Sequence, residues 1–219
     1  HRVMRGVLEV LSEARHPVAI TTKGALVTRD SDLLGAMGRA GLASVTVSLT
    51  TLDPHLHRRL EPRAAAPARR LAAIRTLAAA GVPVGVNIAP VIPALNEAEI
   101  ERLLEAAADA GAAWAGHILL RLPREVAGLF RDWLAEHCPD RAGRVMTKLR
   151  EMHGGRDYDA RWGRRLAGQG LQAALVARRM AAGRKRHGLA SAAPDLRTDL
   201  FRPPVPPGAQ MTLDFGPAD

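Results

Sequence analysis

The sequence predicts an α/β fold: parallel βα units forming a partial (β/α) barrel, followed by a helical carboxyl-terminal extension. Three observations carry that prediction. Short runs rich in Val, Ile and Thr begin near residues 17, 44, 82 and 114, a repeat of about 30 residues with a helical pattern between successive runs. The runs at 44–51 and 82–92 are joined by a helical stretch ending at Gly81, the grammar of a parallel βαβ unit. The first three runs end in polar residues: Thr-Thr-Lys, Ser-Leu-Thr-Thr, and Asn96 after Pro93. Parallel sheets and barrels bind ligands at the carboxyl ends of their strands.

Residues 1–14 read as a helix, with Val3, Val7, Leu8 and Leu11 on one face. PVAITTKG (17–24) is the first strand. Ser31 caps a helix that stops before Gly41. SVTVSLTT (44–51) is the second strand. Pro67 suits the first turn of the next helix, whose Leu71, Ile74 and Leu77 face inward and which ends at Gly81. VPVGVNIAPVI (82–92) is a strand broken by Pro90. Asn96 is expected to cap a helix whose Glu97, Glu99 and Glu101 sit near its positive end. Ile100, Leu103 and Leu104 form its buried stripe. WAGHILLRLP (114–123) is the fourth strand. Beyond it, helices are expected over 124–137 and 140–152, then a GGRDYD loop (154–159) and an Arg-rich helix over 160–187. From Ala190 the chain is Pro-rich and irregular. The domain reading is therefore 1–123 barrel, 124–189 basic helical extension and 190–219 tail.

The 219 residues suffice for a substantial core, and no apolar run approaches the roughly 18 residues of a membrane span. One cysteine, Cys138, excludes an internal disulfide framework and a complete thiolate cluster. Cys138 reads as a structural or surface thiol. The cytoplasm is the expected compartment, with no membrane association. The chain opens at His1 in a helical pattern, as an amino-terminally truncated piece of a longer protein does. The net charge of +9 is uneven: residues 141–187 hold 13 Lys/Arg against 3 Asp/Glu, a balance of +10 that leaves the rest at −1. A segregated basic region is the footprint of a nucleic-acid binder. An Arg-favouring composition gives the same picture.

SVTVSLTTLD, EPR (61–63), GVPVGVNIAPVIPALN and HILLRLP together resemble radical S-adenosylmethionine (SAM) proteins, in the branch related to spore photoproduct lyase. MTKLREMHGGRDYDARWG and LRTDLFRPP resemble the carboxyl-terminal extension of that branch. The resemblance implies a partial (β/α)6 barrel. It also implies a [4Fe–4S] cluster held by a CxxxCxxC-type loop, and SAM cleaved reductively to a 5′-deoxyadenosyl radical. An electron donor such as flavodoxin or ferredoxin is implied as partner. The cysteine loop and the glycine-rich end of the second family strand are absent from this sequence and would precede His1. The chain alone is therefore expected to be inactive.

Lys23, the only lysine among the first 147 residues, matches the Lys of a TK pair that meets the SAM carboxylate in the resembled family. Its neighbour Thr22 joins it. Alternation puts Ser48 and Thr50 on one strand face, where they can hydrogen-bond a ribose or the methionine moiety. Asn87 lies mid-strand, where a buried amide needs partners: it is expected either to recognise polar atoms of the cofactor or to tie neighbouring strands. Pro90 to Pro93, including Ile92, would form a wall that lies against adenine in the family. His117 and Arg121 share a face of the last strand, and a buried Arg121 would need an anionic substrate group. A satisfied core histidine is the plainer reading of His117. Glu61–Arg63 is either a cap on the site or a surface ion pair. Tyr158, the only tyrosine, can donate hydrogen to a radical or simply pack.

The tail segment Gln210–Phe215, QMTLDF, resembles the Q-L-x-L-x-F peptide that docks bacterial repair and replication proteins on the sliding clamp. Leu213 and Phe215 would fill an apolar pocket while the Gln210 amide bonds. The leading expectation is thus a fragment of a radical SAM enzyme, of DNA-repair lyase type when intact. The alternatives are a clusterless TIM-like lyase using Lys23 as a Schiff-base amine, and a non-catalytic DNA- or clamp-binding module.

Overall fold

A computed structural model describes residues 3–161 and 166–204. Four parallel strands, β1 (Val18–Thr22), β2 (Ala43–Ser48), β3 (Val84–Val91) and β4 (Ala115–Leu119), form one sheet in the order β1-β2-β3-β4. Helices α1 (Val3–Glu13), α2 (Ser31–Arg39), α4 (Pro67–Ala79) and α5 (Ile100–Asp109) alternate with the strands, and a short α3 (Pro54–Leu60) follows β2. Then come α6 (Val126–His137), α7 (Pro139–Met152) and α8 (Gly170–His187). The expected partial parallel barrel is the fold found.

The sheet buries one face under helices. Val45 and Val47 of β2 and Val84, Val86 and Ile88 of β3 pack on Ile74, Leu77, Leu103 and Leu104, with Val176 and Met180 of α8 joining. A second apolar cluster sits beyond the carboxyl ends of the strands, where Ile92, Leu95 and Leu122 meet Phe130, Leu134, Val145 and Leu149 of α6 and α7. On the other face, Trp114 lies over Gly85 so closely that a β-carbon there would stand 2.1 Å from the ring. The indole therefore fills the lower part of that face.

Four elements differ from expectation. Ser31 does not cap α2 but is its first residue, with Asp30 at the cap position. Asn96 does not cap the following helix. It is buried, accepts from Ile92 N at 2.6 Å and donates to Thr50 O at 2.7 Å and Pro90 O at 2.9 Å. Its amide thus ties the ends of β2 and β3, because buried backbone groups there must be paired. The Arg-rich helix does not start at 160: Gly168 and Gly170 take φ of +69° and +78°, a backbone that turns before α8 begins. Helix α3 was not foreseen. Asp53 Oδ1 accepts from His55 N at 2.7 Å and Pro54 occupies the first turn, a start signal carried by two residues in a segment too short to show periodicity.

Candidate functional site

Strand register assembles the site. Ser48 pairs with Asn87, and Asn87 with Gly116. Thr22 pairs with Val47, so the next step along β1 sets Lys23 beside Ser48. Lys23, Ser48, Asn87 and Gly116 thus form one row across the sheet, from the carboxyl ends of β1 and β2 through the middle of β3 to the start of β4, on the face opposite the helices. Gly116 leaves the space into which Asn87 points: a β-carbon there would sit 3.4 Å from Asn87 Oδ1. Asn87 is half-buried and Ser48 buried.

Above this row lies a carboxylate hub. Glu61, on the turn after α3, has a side chain only 9 % exposed. Its Oε1 accepts from the Lys23 ammonium and lies 3.0 Å from Thr50 Oγ1. The same hydroxyl is 2.9 Å from Ala89 O. Glu61 Oε2 accepts from Arg70 at 2.6 Å. Arg70, from α4, is fully buried and also donates to Ser48 O at 3.0 Å and Ala65 O at 2.7 Å. The buried His57 Nδ1 stands 3.8 Å from Glu61 Oε2, beyond hydrogen-bond reach. Burial pushes the Glu61 carboxyl up, but the hydrogen bonds from Lys23 and Arg70 outweigh it and hold the pKa below the ordinary value. A parallel tie joins Thr51 Oγ1 to Glu99 at 2.6 Å, with Leu52 N on the other oxygen at 2.8 Å.

The other expected residues fall outside this row. Thr22 pairs with Val47, on the helix side, and its Oγ1 accepts from Gly24 N at 2.9 Å in a local turn. Ile92 is fully buried in the second apolar cluster and presents no surface to a ligand. Pro90 is half-buried, with its carbonyl taken by Asn96. His117 pairs with Ile88 and so faces away from Asn87. Burial, then the nearby Arg184 charge, lowers its pKa. Arg121 corrects the expectation of a buried cation: it lies past the end of β4 and is exposed. Tyr158 packs edge-on against His153, ring centroids 6.4 Å apart. Cys138 sits at the junction of α6 and α7. Gln210, Leu213 and Phe215 lie outside the described residues.

Nor does the basic region gather at the row. Several of its charges are paired: Lys148 with Glu97 at 2.9 Å, Arg150 with Asp157 at 2.8 Å and Arg179 with Glu101 at 2.5 Å. Helix α8 runs antiparallel to β4, since Gly168 lies against Leu119 while Arg184 reaches Ala115 O at 3.4 Å. The run Arg184–His187 is therefore at the amino end of the sheet, opposite the site.

Sequence reasoning missed the hub. Glu61 in EPR reads from sequence as either a cap on the site or a surface ion pair, and its burial removes the second option. Arg70 carried no signal beyond being an Arg on the apolar flank of α4. Lys23 bonds a carboxylate and its side chain is 40 % exposed, which is not the apolar enclosure a Schiff-base amine needs.

A family model described as the Radical SAM superfamily matches residues 3–107. Uncharacterized proteins Mb2609c of Mycobacterium bovis and Rv2578c of Mycobacterium tuberculosis are each 34 % identical over 155 residues, covering 70 % of this chain and 44 % of the relative. Uncharacterized protein ORF301 of Acidianus two-tailed virus is 33 % identical over 112 residues, covering 49 % of this chain and 36 % of its own length. Two substituted forms of spore photoproduct lyase share the fold, with a TM-score of 0.58 and 19 % identity over 85 % of this chain and 54 % of theirs. The chain spans about half the length of the proteins it matches. Among the described residues, no helix is long and apolar enough to cross a membrane.

Proposed function

We infer, from the match of residues 3–107 to the Radical SAM superfamily, that this chain supplies the SAM-facing part of a radical SAM enzyme. The observation that carries the reading is the row Lys23–Ser48–Asn87 across adjacent strands, at the carboxyl ends of β1 and β2 and the middle of β3. The residues fit SAM. Lys23 offers an ammonium to a carboxylate, Ser48 a hydroxyl and Asn87 an amide that can both donate and accept. Trp114 below the row blocks the sheet face and confines a ligand to the rim.

In this superfamily, SAM and a [4Fe–4S] cluster together supply a 5′-deoxyadenosyl radical. The single Cys138, at a helix junction, does not fit a cluster-ligand set, and no step through a cluster is assigned to this chain. Its own residues bind and orient. Lys23 anchors the carboxylate, Ser48 and Asn87 fix the polar atoms beside it, and the Asn96 tie keeps the ends of β2 and β3 at a constant separation. The finer reading is a DNA-directed lyase. It is supported by the fold shared with spore photoproduct lyase and by exposed Arg121 and Arg124 on the segment leaving β4 at the same rim.

Equilibrium dialysis of the 219-residue chain with radiolabelled SAM tests the row. Saturable retention that weakens by about tenfold in Ser48→Ala and in Asn87→Ala is expected for loss of hydrogen bonds to a charged ligand. Equal retention by wild type and both variants overturns the assignment.

A further inference from the structure

We propose that Glu61 is a positioning residue that fixes the Lys23 ammonium for the carboxylate of the incoming ligand. The proposal rests on the SAM reading above and adds a role for a side chain that lies outside the row.

The hub holds two cations, Lys23 and Arg70, and one carboxylate, Glu61. One positive charge is left over. Arg70 is 1 % exposed, and each of its three nitrogens donates to a fixed oxygen: Ala65 O, Ser48 O and Glu61 Oε2. It has no surface to offer. The surplus charge therefore belongs to Lys23, whose side chain alone among the three has substantial access to solvent. A ligand carboxylate pairs with that charge, and a ligand without a carboxylate leaves it unpaired.

An ammonium has three N–H groups on a flexible four-carbon stem. Glu61 takes one and removes most of the stem's freedom, leaving two donors aimed from a known point. Glu61 is itself held: Arg70 grips one oxygen, Thr50 Oγ1 lies 3.0 Å from the other, and only a 9 % exposed surface remains. Arg70 in turn bonds Ser48 O at 3.0 Å. The ammonium and the Ser48 strand end are thus referenced to one guanidinium, which fixes the distance between the charged and neutral parts of the row. Ion pairing of this kind acts on orientation, because the ordering cost of the lysine is met before the ligand arrives.

Calorimetric titration of the 219-residue chain with two ligands separates the possibilities. S-adenosylhomocysteine carries the amino-acid carboxylate and ammonium, whereas 5′-methylthioadenosine lacks both, so it is the change of preference on altering Glu61 that reports on the carboxylate contact. Wild type is expected to favour the former by about tenfold or more, as for a charge-assisted contact. Glu61→Gln is expected to cut that preference at least about threefold while leaving 5′-methylthioadenosine affinity unchanged. Glu61→Asp keeps the charge but withdraws it by one methylene, and should lose preference as well. It stands in if the glutamine variant does not fold, as judged by circular dichroism. Undiminished preference in the variant that folds overturns the positioning role, as does a preference that rises when the competing carboxylate is gone. Failure of the wild type to bind either ligand overturns the SAM reading beneath it. Equal binding of both ligands by wild type overturns only the use of Lys23.

Discussion

The two edges of the sheet are finished in opposite ways. On the β4 side, the chain returns and closes the edge: Ala115 N donates to Ala190 O at 3.0 Å, Leu119 N to Leu166 O at 3.1 Å, and Trp114 bridges to Ala190. Helix α8 covers the flank, with Val176 and Met180 buried against the core. On the β1 side, the strand pairs among the described residues with β2 alone, Ala19 and Thr21 are exposed, and α1 turns Val3, Met4, Val7 and Val10 to solvent. An edge of this kind is a template for further pairing. The site straddles the difference: Lys23 comes from the open edge, while Ser48, Asn87 and Arg70 come from the closed interior.

The largest expected effect is in the buried centre that joins the two sides. Arg70→Ala strips Glu61 of its enclosed partner and leaves the carbonyls of Ser48 and Ala65 without their donor. Breaking a buried pair by removing one member costs about 3–5 kcal/mol. Urea unfolding measures it, and a loss under 1 kcal/mol would mean the hub is not structural. Next comes Met180→Ala on the closed flank, expected at about 2–5 kcal/mol because α8 cannot collapse onto the cavity. The matching change on the open flank, Val10→Ala, should stay within about 0.5 kcal/mol. If the two cost the same, the open edge is covered in solution.

Much of this contrast was readable from residues. The strands were placed to within a few positions because β-branched runs and helical periods are local signals. The row Lys23–Ser48–Asn87 was legible piecewise, since each residue ends or interrupts an apolar run. What was not legible depended on convergence. Glu61 and Arg70 lie nine residues apart with a turn between them, and only the packed fold brings both onto the end of β2. Asn96 looked like a helix cap because its position is right for one. The structure gives its amide three backbone partners instead, and caps are decided by which unsatisfied groups lie nearest. The basic count of 141–187 was correct, but charge composition carries no direction, so the run at 184–187 could not be assigned to the far end of the sheet.

A smaller effect sharpens the comparison through Trp114. Gly85→Ala would place a β-carbon 2.1 Å from the indole. The indole is itself buried, so it has little room to move. Overpacking of this kind costs about 1–3 kcal/mol. Fluorescence of Trp114 should shift as the indole leaves its buried position, measured against the signals of Trp133 and Trp162 in variants lacking them. An unchanged spectrum and stability would show that the floor of the open face is soft.

The smallest effect is expected from acid, and it tests whether the open edge depends on the hub. The Glu61 pKa lies below its ordinary value in the folded protein. Its contribution is therefore present in full above the unfolded carboxyl pKa of about 4.3 and is lost as pH falls through the lower folded value. Protonation takes the charge from Lys23 and Arg70 together. Arg70 keeps its two carbonyl partners, whereas no other hydrogen bond holds the Lys23 ammonium among the described residues. The segment after β1 should consequently loosen before β3 and β4 do. Amide exchange followed by mass spectrometry between pH 5 and pH 3, corrected for intrinsic rates, would show protection falling first in peptides covering 18–30. Uniform loss across all four strands would mean that the two edges unfold as one unit and that the hub does not distinguish them.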